Sequence, residues 1–148
     1  MDGELLNSLG KTGYIFALCL AAFGSALGTG TTGMAAIGAW RKAFLKGKSA
    51  PFILIAFASA PLSQTIYGMI LMNALKAAVE ADPLVRLFSG IFGGLAIASS
   101  AWLQGKAGAA ACEALVDAEK GLGNYIMILG IVETVALFVM VFLMTALG

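Results

Sequence analysis

Residues 13–40, GYIFALCLAAFGSALGTGTTGMAAIGAW, form a run of 28 residues without a charged side chain. An α-helix needs roughly 20 apolar residues to cross a bilayer, so this run is long enough to span one. Three further apolar runs follow at residues 49–75, 87–105 and 121–148. The sequence therefore predicts an all-α membrane protein with four transmembrane helices.

The composition leaves little room for a soluble domain. Apolar residues make up 60% of the 148-residue chain and charged residues 11%, whereas about 25% of residues are charged in soluble domains. We expect a single membrane domain over residues 1–148. The first run is predicted to be a permanent helix, because the chain starts with acidic residues and the run is about twice as long as a signal-peptide core.

Residues 28–33, GTGTTG, match the GxGxxG pattern of dinucleotide-binding folds. That pattern needs a preceding strand and an acidic residue roughly 20 positions further on to bind the ribose. The chain has no Asp or Glu between Gly33 and Glu80. We therefore expect no nucleotide site and no nucleic-acid partner, and we interpret the glycines as a helix-packing surface.

Small residues recur at spacings of three and four in the first and third segments, which places them on one face of each helix. The stripe in the first segment consists of Ala17, Ala21, Gly24, Gly28, Thr31, Ala35 and Gly38. The stripe in the third segment consists of Gly90, Gly94, Ala98, Ala101, Gly105, Gly108 and Cys112. Such stripes let helix backbones approach closely in lipid, either in any four-helix bundle or along the crowded inside of an oligomeric ring.

The loops predict the orientation in the membrane. Loop 41–50 carries four basic residues and no acid, whereas the loop between the second and third segments mixes both signs. Because Lys and Arg concentrate on the cytoplasmic side, we expect loops 41–50 and 113–120 to be cytoplasmic and both termini to be extracytoplasmic. Short loops without a targeting segment favour a bacterial plasma membrane.

The two halves of the chain also resemble each other. Residues 30–36, GTTGMAA, align with residues 105–111, GKAGAAA, at an offset of 75. Residues 64–65, QT, align with residues 133–134, ET, at an offset of 69. This repeat predicts a duplicated helical hairpin, with the first hairpin over residues 12–79 and the second over residues 84–148.

One acidic residue lies inside an apolar run. Glu133 is 12 residues beyond Gly121, which puts it about 18 Å deep at the rise of an α-helix. An ionised carboxylate at the bilayer centre costs on the order of 3 kcal/mol, so a proton, a cation or a basic partner has to neutralise it. Intramembrane carboxylates typically mark ion or substrate paths, although a protonated, hydrogen-bonded Glu inside a bundle remains an alternative.

The second segment supplies candidate partners for this carboxylate. Ala60, Ser63, Gln64 and Tyr67 share one helical face. Pro61 lacks an N–H and loosens the helix, which predicts that the backbone carbonyl of Ala60 is free to point elsewhere. Gln104 in the third segment lies within about a turn of the same depth.

These groups amount to one carboxylate, one hydroxyl, two amide carbonyls and one backbone carbonyl. Hard oxygen donors suit hard cations, and a single negative charge matches a monovalent ion better than a divalent one. The residues therefore favour a sodium ion bound by Glu133, Gln104, Gln64, Ser63 and the Ala60 carbonyl. Tyr67 is expected to donate its hydroxyl hydrogen to Glu133, and a proton as the only cargo is the alternative.

Two motifs carry a resemblance to a known family. The pattern Gln-Gly-Lys-x-x-Ala-Ala at residues 104–110 and Val-Glu-Thr at residues 132–134, together with the duplicated hairpin, resemble the proteolipid (c or K) subunit of rotary V-type ATPases. The site residues resemble its sodium-binding branch, with Ala60 and Ser63 where that branch has Leu and Thr. Neither replacement removes an oxygen ligand. Leu62 stands where the branch has Gly.

The resemblance implies a ring of several copies of the chain that rotates against a stator subunit, which supplies an arginine. Ion movement would be coupled through a cytoplasmic central stalk to ATP hydrolysis in a separate soluble sector. Membrane lipid would surround the ring. A proton-translocating rotor ring is the nearest alternative, and a small four-helix multidrug exporter or a non-transporting scaffold are more distant ones.

The sequence contains no catalytic set. It has no His, and neither Cys19 nor Cys112 has a neighbouring base. We interpret both cysteines as small packing residues rather than a disulfide.

Overall fold

The computed structural model describes residues 3–147, which fold entirely into helices joined by short loops. The helices are α1 (Gly3–Leu45), α2 (Leu54–Ser59), a 3₁₀ turn (Ala60–Leu62), α3 (Ser63–Ala77), α4 (Pro83–Ala118) and α5 (Leu122–Ala146). Four units within residues 3–147 are long and apolar enough to cross a membrane: α1, the interrupted span Leu54–Ala77, α4 and α5. The predicted all-α fold with four transmembrane helices is confirmed.

Helices α1 and α4 extend beyond the apolar runs at both ends. Helix α1 begins at Gly3 rather than at residue 12, and it continues through residues 41–45. Residues 113–118 belong to α4. The prediction of loops at 41–50 and 113–120 is therefore wrong for residues 41–45 and 113–118, which are helical. Lys, Arg, Glu and Ala are good helix formers, so the backbone stays helical after the apolar run ends.

Helices α1 and α4 run parallel in direct backbone contact. A Cβ atom added at Gly90 would lie 1.9 Å from the carbonyl oxygen of Gly13, and one added at Gly105 would lie 2.2 Å from the Cα of Gly28. A Cβ at Gly24 would lie 2.3 Å from the Cα of Ala98. No side chain fits between the two helices at these points, so the small residues are required for this packing.

The buried faces of α1 and α4 repeat every 11 residues. Every buried residue of these two helices has another buried residue 11 positions away in the same helix. One such series in α1 is Gly10, Ala21, Thr32 and Ala43, and one in α4 is Arg86, Ile97 and Gly108. This period corresponds to about 3.67 residues per turn and favours a right-handed supercoil of the two helices.

The buried face of α1 follows the 11-residue period and therefore differs from the stripe of small residues expected from the sequence. Alternating spacings of three and four average 3.5 residues per turn, and this stripe drifts off the buried face after Gly28. Thr31 and Ala35 are only half-buried and Gly38 is exposed, whereas Thr32 and Ala36 are buried. The stripe expected for α4 holds better, since six of its seven residues are buried and only Ala98 is half-buried.

The GTGTTG segment lies in the middle of α1, with a helix rather than a strand before it. Gly28 packs against the backbone of α4, whereas Gly30 and Gly33 have open space where a Cβ would be. Only the first of the three glycines therefore acts as a close-packing residue within the chain.

Equivalent positions of the two sequence halves meet along this interface. Thr32 donates a hydrogen bond to the carbonyl of Gly105, 73 positions away, and Lys42 pairs with Asp117, 75 positions away. These separations are close to the offset of 75 seen in the sequence repeat.

The remaining helices pack on α1 and α4 through two apolar clusters. One cluster includes Phe57, Cys112 and Val116, and the other includes Leu71, Ile97 and Ala136. Cys112 is fully buried in the first cluster, as expected of a packing residue. Cys19 is exposed and belongs to neither cluster.

Ion pairs join α1 and α4 where the two helices end near the first and third loops. Lys42 and Lys46 both contact Asp117, and Lys48 contacts Glu119. The hydrogen bond from Lys48, together with its charge, lowers the pKa of the Glu119 carboxyl below its usual range. Both partners are exposed, so the pair adds little to stability.

Gly28→Ala tests the backbone contact between α1 and α4. The new Cβ would lie 2.3 Å from the carbonyl oxygen of Ala101, so the helices must move apart. We expect the free energy of unfolding to fall by about 1–3 kcal/mol, measured by circular dichroism during SDS titration. Gly30→Ala, two positions away in open space, is the matched control. Equal unfolding midpoints for the two variants would contradict this packing.

Lys48→Gln tests the loop ion pair. We expect the pKa of Glu119 to rise toward its ordinary value of about 4.3, as measured by NMR titration of the labelled carboxyl. In the wild type the stabilising contribution is present above the unfolded pKa and is lost as the pH falls through the lowered folded value. Lys120→Gln should leave the titration of Glu119 unchanged, and an equal response to both substitutions would count against the assigned partner.

Candidate ion-binding site

Glu133 lies on α5, half-buried, with its carboxylate held by two neighbouring helices. The hydroxyl of Tyr67 on α3 donates to Oε1 at 2.7 Å, and the side-chain Nε2 of Gln104 on α4 donates to Oε2 at 3.2 Å. Each carboxylate oxygen thus has one donor, and each donor comes from a different helix.

Gln104 links the carboxylate to α3. Its side chain is fully buried, and its Nε2 also donates to the backbone carbonyl of Leu129 at 2.9 Å. Its Oε1 accepts a hydrogen bond of 2.8 Å from Nε2 of Gln64. Both of these bonds are buried, so each is costly to leave unmade.

The amide of Gln104 is oriented differently from the sequence expectation. We expected its carbonyl oxygen beside the ion, together with that of Gln64. The nitrogen of Gln104 faces Glu133 instead, and its oxygen faces Gln64. The physical reason is that a carbonyl oxygen placed against a carboxylate would bring two acceptors together, whereas an NH₂ group donates to it.

Ser63 extends the network to the helix break. Its hydroxyl oxygen lies 3.0 Å from the carbonyl oxygen of Ala60 and 3.2 Å from Oε1 of Gln64. The hydroxyl carries one hydrogen and donates to one of these acceptors at a time. Oε1 of Gln64 therefore retains unused acceptor capacity next to the Ser63 oxygen.

The helix break at Pro61 is a 3₁₀ turn over Ala60–Leu62. The Ala60 carbonyl accepts the backbone N–H of Ser63 and lies within hydrogen-bond distance of the Ser63 hydroxyl, so the expectation that this carbonyl is free is wrong. An i→i+3 hydrogen bond of the turn occupies it. The carbonyl that loses its α-helical donor to Pro61 is that of Phe57, four positions earlier. The ring of Pro61 is buried beside Gly28 of α1.

The predicted site residues thus form one connected network. Contacts lead from the Ala60 carbonyl through Ser63, Gln64 and Gln104 to Glu133, and Tyr67 completes it at the carboxylate. The network contains one group that bears a negative charge and several oxygens that are only partly used as acceptors. This arrangement can hold a carboxylate in a fixed orientation next to uncharged oxygen ligands.

Two further hydroxyls support the site, and the sequence interpretation missed both. Ser100, four residues before Gln104, donates to the backbone carbonyl of Val132 at 2.8 Å. Thr32 donates to the carbonyl of Gly105 at 2.7 Å. These bonds attach α4 to α5 and to α1 on either side of the network. The spacing of Ser100 could have identified it from the sequence, because a residue four positions before Gln104 lies on the same helical face, one turn away.

The fold and the intramembrane carboxylate together define an integral, multi-pass membrane protein. Residues 87–146, which comprise most of α4 and all of α5, match the family model that describes the C subunit of ATP synthase. The match covers 60 of the 148 residues and makes this part of the chain similar to that subunit. No curated protein matches the chain in a sequence search.

The matched segment contains Gln104 and Glu133. Ser63, Gln64 and Tyr67 lie outside it, on the span that precedes α4. The family match therefore covers the carboxylate and one of its two donors, and the geometry of the structure connects the other residues to them.

A double-mutant cycle tests the contact between Gln64 and Gln104. Each single change to Leu strands a buried amide group of the partner, at a cost of about 1–3 kcal/mol. The double variant removes both groups. We therefore expect its free energy of unfolding to fall by less than the sum of the decreases in the two single variants, with a difference of at least about 0.5 kcal/mol. SDS titration measures the free energy of unfolding of the wild type, the two single variants and the double variant.

Thr134→Val and Thr145→Val form the control cycle, because both hydroxyls bond only to carbonyls within α5. Their effects should be additive. Additivity in the Gln64 and Gln104 cycle as well would show that the two amides do not interact.

Proposed function

We propose that the chain is the sodium-binding rotor subunit of a V-type ATPase. The observation that carries this proposal is the hydrogen-bonded network of Ser63, Gln64 and Gln104 attached to Glu133. A ring of copies would carry one such site in each chain. Rotation of the ring against a stator would move the ions across the membrane, coupled through a cytoplasmic central stalk to ATP hydrolysis in a separate soluble sector.

The polar residues around Glu133 favour sodium over a proton as the cargo. A proton needs only the carboxylate. Burying two glutamines and a serine at membrane depth would then cost free energy without serving the binding of the cargo. Sodium is a hard cation that prefers several oxygen ligands. Oxygens of Glu133, Gln64 and Ser63 lie within one network, and Oε1 of Gln104 has a second lone pair beside the one used by Gln64.

The Ser63 hydroxyl is the group that would reorient most readily on ion binding. It has one hydrogen and two acceptors within reach, the Ala60 carbonyl and Oε1 of Gln64. Donation to Ala60 leaves a lone pair of Ser63 and the oxygen of Gln64 available to a cation. The Ala60 carbonyl, as the acceptor of that hydrogen, would serve the ion indirectly, unless the 3₁₀ turn opens.

The charge of the site determines when the ion is held and when it is released. With sodium bound, the single negative charge of Glu133 is neutralised, and the half-buried side chain can face lipid at low cost. Opposite an arginine supplied by the stator, the positive charge of the arginine would replace that of the ion and release it. Moving one charge against 100 mV requires about 2.3 kcal/mol, which ATP hydrolysis in the soluble sector would supply.

The orientation in the membrane belongs to the same proposal. The basic residues of α1 and the following loop support a cytoplasmic location for the end of the molecule that carries Lys42, Lys46 and Lys48. Both termini would then be extracytoplasmic, in a bacterial plasma membrane. The parallel contact of α1 with α4, at separations near the repeat offset, supports two duplicated hairpins over residues 12–79 and 84–148.

Labelling with dicyclohexylcarbodiimide, which modifies protonated carboxyl groups, tests the proposed cargo. We expect sodium to protect Glu133 of the purified oligomer, with mass spectrometry following the modified peptide and Glu133→Gln abolishing the label. Ser63→Ala removes one oxygen ligand, and a loss of about 1.4 kcal/mol would raise the half-protecting sodium concentration about tenfold.

Ser99→Ala is the control variant, because the Ser99 hydroxyl is exposed and bonds only to the carbonyl of Leu95. Its protection curve should match that of the wild type. Labelling that depends on pH but not on sodium over a wide concentration range would identify the protein as a proton carrier instead.

A further inference from the structure

A cavity of about 320 Å³ lies where α1, α3 and α4 meet, at the end of the helices opposite to the loop ion pairs. Its volume is roughly ten times that of one water molecule in the liquid. The lining residues are Asn7, Lys11, Tyr14, Lys76, Val79 and Arg86. Five of these six side chains carry hydrogen-bond donors, and none is a carboxylate.

Three of the lining residues are cations without an acidic partner. Within residues 3–147, Lys11, Lys76 and Arg86 take part in none of the ion pairs, which all lie at the other end of the molecule. Arg86 is only 4% exposed. Its Nε donates to the carbonyl of Leu75 at 3.2 Å, and a guanidinium has four further N–H donors. A buried cation with unused donors calls for an anion beside it.

The acidic residues near this cavity are used elsewhere or do not line it. Asp82 caps α4, where its side chain accepts the backbone N–H groups of Leu84 and Val85. Glu80, in the same loop, and Glu4, on α1, are exposed, and neither lines the cavity. These acids therefore leave the positive charge of the cavity uncompensated within the described part of the chain.

The three cations lie at one level of the membrane. Lys11 is two residues before the first apolar run, Lys76 directly follows the second run, and Arg86 directly precedes the third. Each of them thus marks the point where the hydrocarbon region ends. Phospholipid phosphates occupy this level, and basic pockets between transmembrane helices bind anionic lipid headgroups.

We propose that this cavity binds the phosphate group of an anionic membrane phospholipid. The planar guanidinium of Arg86 matches two phosphate oxygens, while Lys11 and Lys76 add positive charge and Asn7 and Tyr14 add neutral donors. The acyl chains would lie along the apolar surfaces of the adjoining helices. This site is separate from Glu133, and its occupancy is independent of which ion the carboxylate carries.

Lipid titration of the purified oligomer tests the site. Native mass spectrometry would count bound dioctanoyl phosphatidylglycerol per chain, in parallel with dioctanoyl phosphatidylcholine. Lys11→Gln with Lys76→Gln removes two exposed cations and leaves the buried Arg86 in place. We expect about 30-fold weaker phosphatidylglycerol binding, from the contribution of each surface cation.

Lys106→Gln with Lys120→Gln is the matched control, since it removes the same charge from side chains outside the cavity. It should bind phosphatidylglycerol like the wild type. Arg86→Lys keeps the charge but loses the planar fork, and we expect it to bind more weakly than the wild type.

Three results would overturn the proposal. One is equal binding by the Lys11/Lys76 variant and the control, and another is equal binding of phosphatidylcholine and phosphatidylglycerol. The third is displacement of phosphatidylglycerol by an equal concentration of inorganic phosphate, which would identify a free anion as the ligand. If the Lys11/Lys76 variant dissociated into single chains while the wild type bound no lipid, an acidic group of a neighbouring copy would be the occupant instead.

Discussion

A carboxylate in the middle of an apolar span has to be supplied with hydrogen-bond donors by its neighbours, because water is absent there. Glu133 receives one donor from Tyr67 and one from Gln104. Gln104 is in turn held by Gln64 and by the carbonyl of Leu129. The donors come from α3 and α4 while the acid is on α5, so the site exists only where these three helices lie within hydrogen-bond distance.

The close contact of α1 with α4 positions this network. Gly105 meets the backbone of Gly28, while the preceding residue, Gln104, points to α3 and α5. Adjacent residues on a helix point about 100° apart, so one face of α4 packs on α1 while the next carries the polar side chain. Larger residues at the contact would shift α4 and move the amide of Gln104 away from the carboxylate. The small residues thus determine the site without touching it.

The two ends of the helix bundle differ in how their charges are satisfied. At one end, lysines of α1 and its loop pair with Asp117 and Glu119 in exposed ion pairs. At the other end, a buried Arg86 and two lysines face a cavity without an acid among its lining residues. Three lysines at the first end therefore have acidic partners, whereas the cations that line the cavity have none within residues 3–147.

The sequence by itself determined the four spans, the single intramembrane acid and the set of polar residues around it, because span length and side-chain chemistry are properties of each segment alone. The tertiary structure decided which of these groups meet and how. The nitrogen rather than the oxygen of Gln104 faces Glu133, and the Ala60 carbonyl is occupied by Ser63. The tertiary structure also decided that Thr32, and not Thr31, lies on the buried face of α1. These features depend on the relative rotation and distance of neighbouring helices, which follow from backbone packing between segments far apart in the chain.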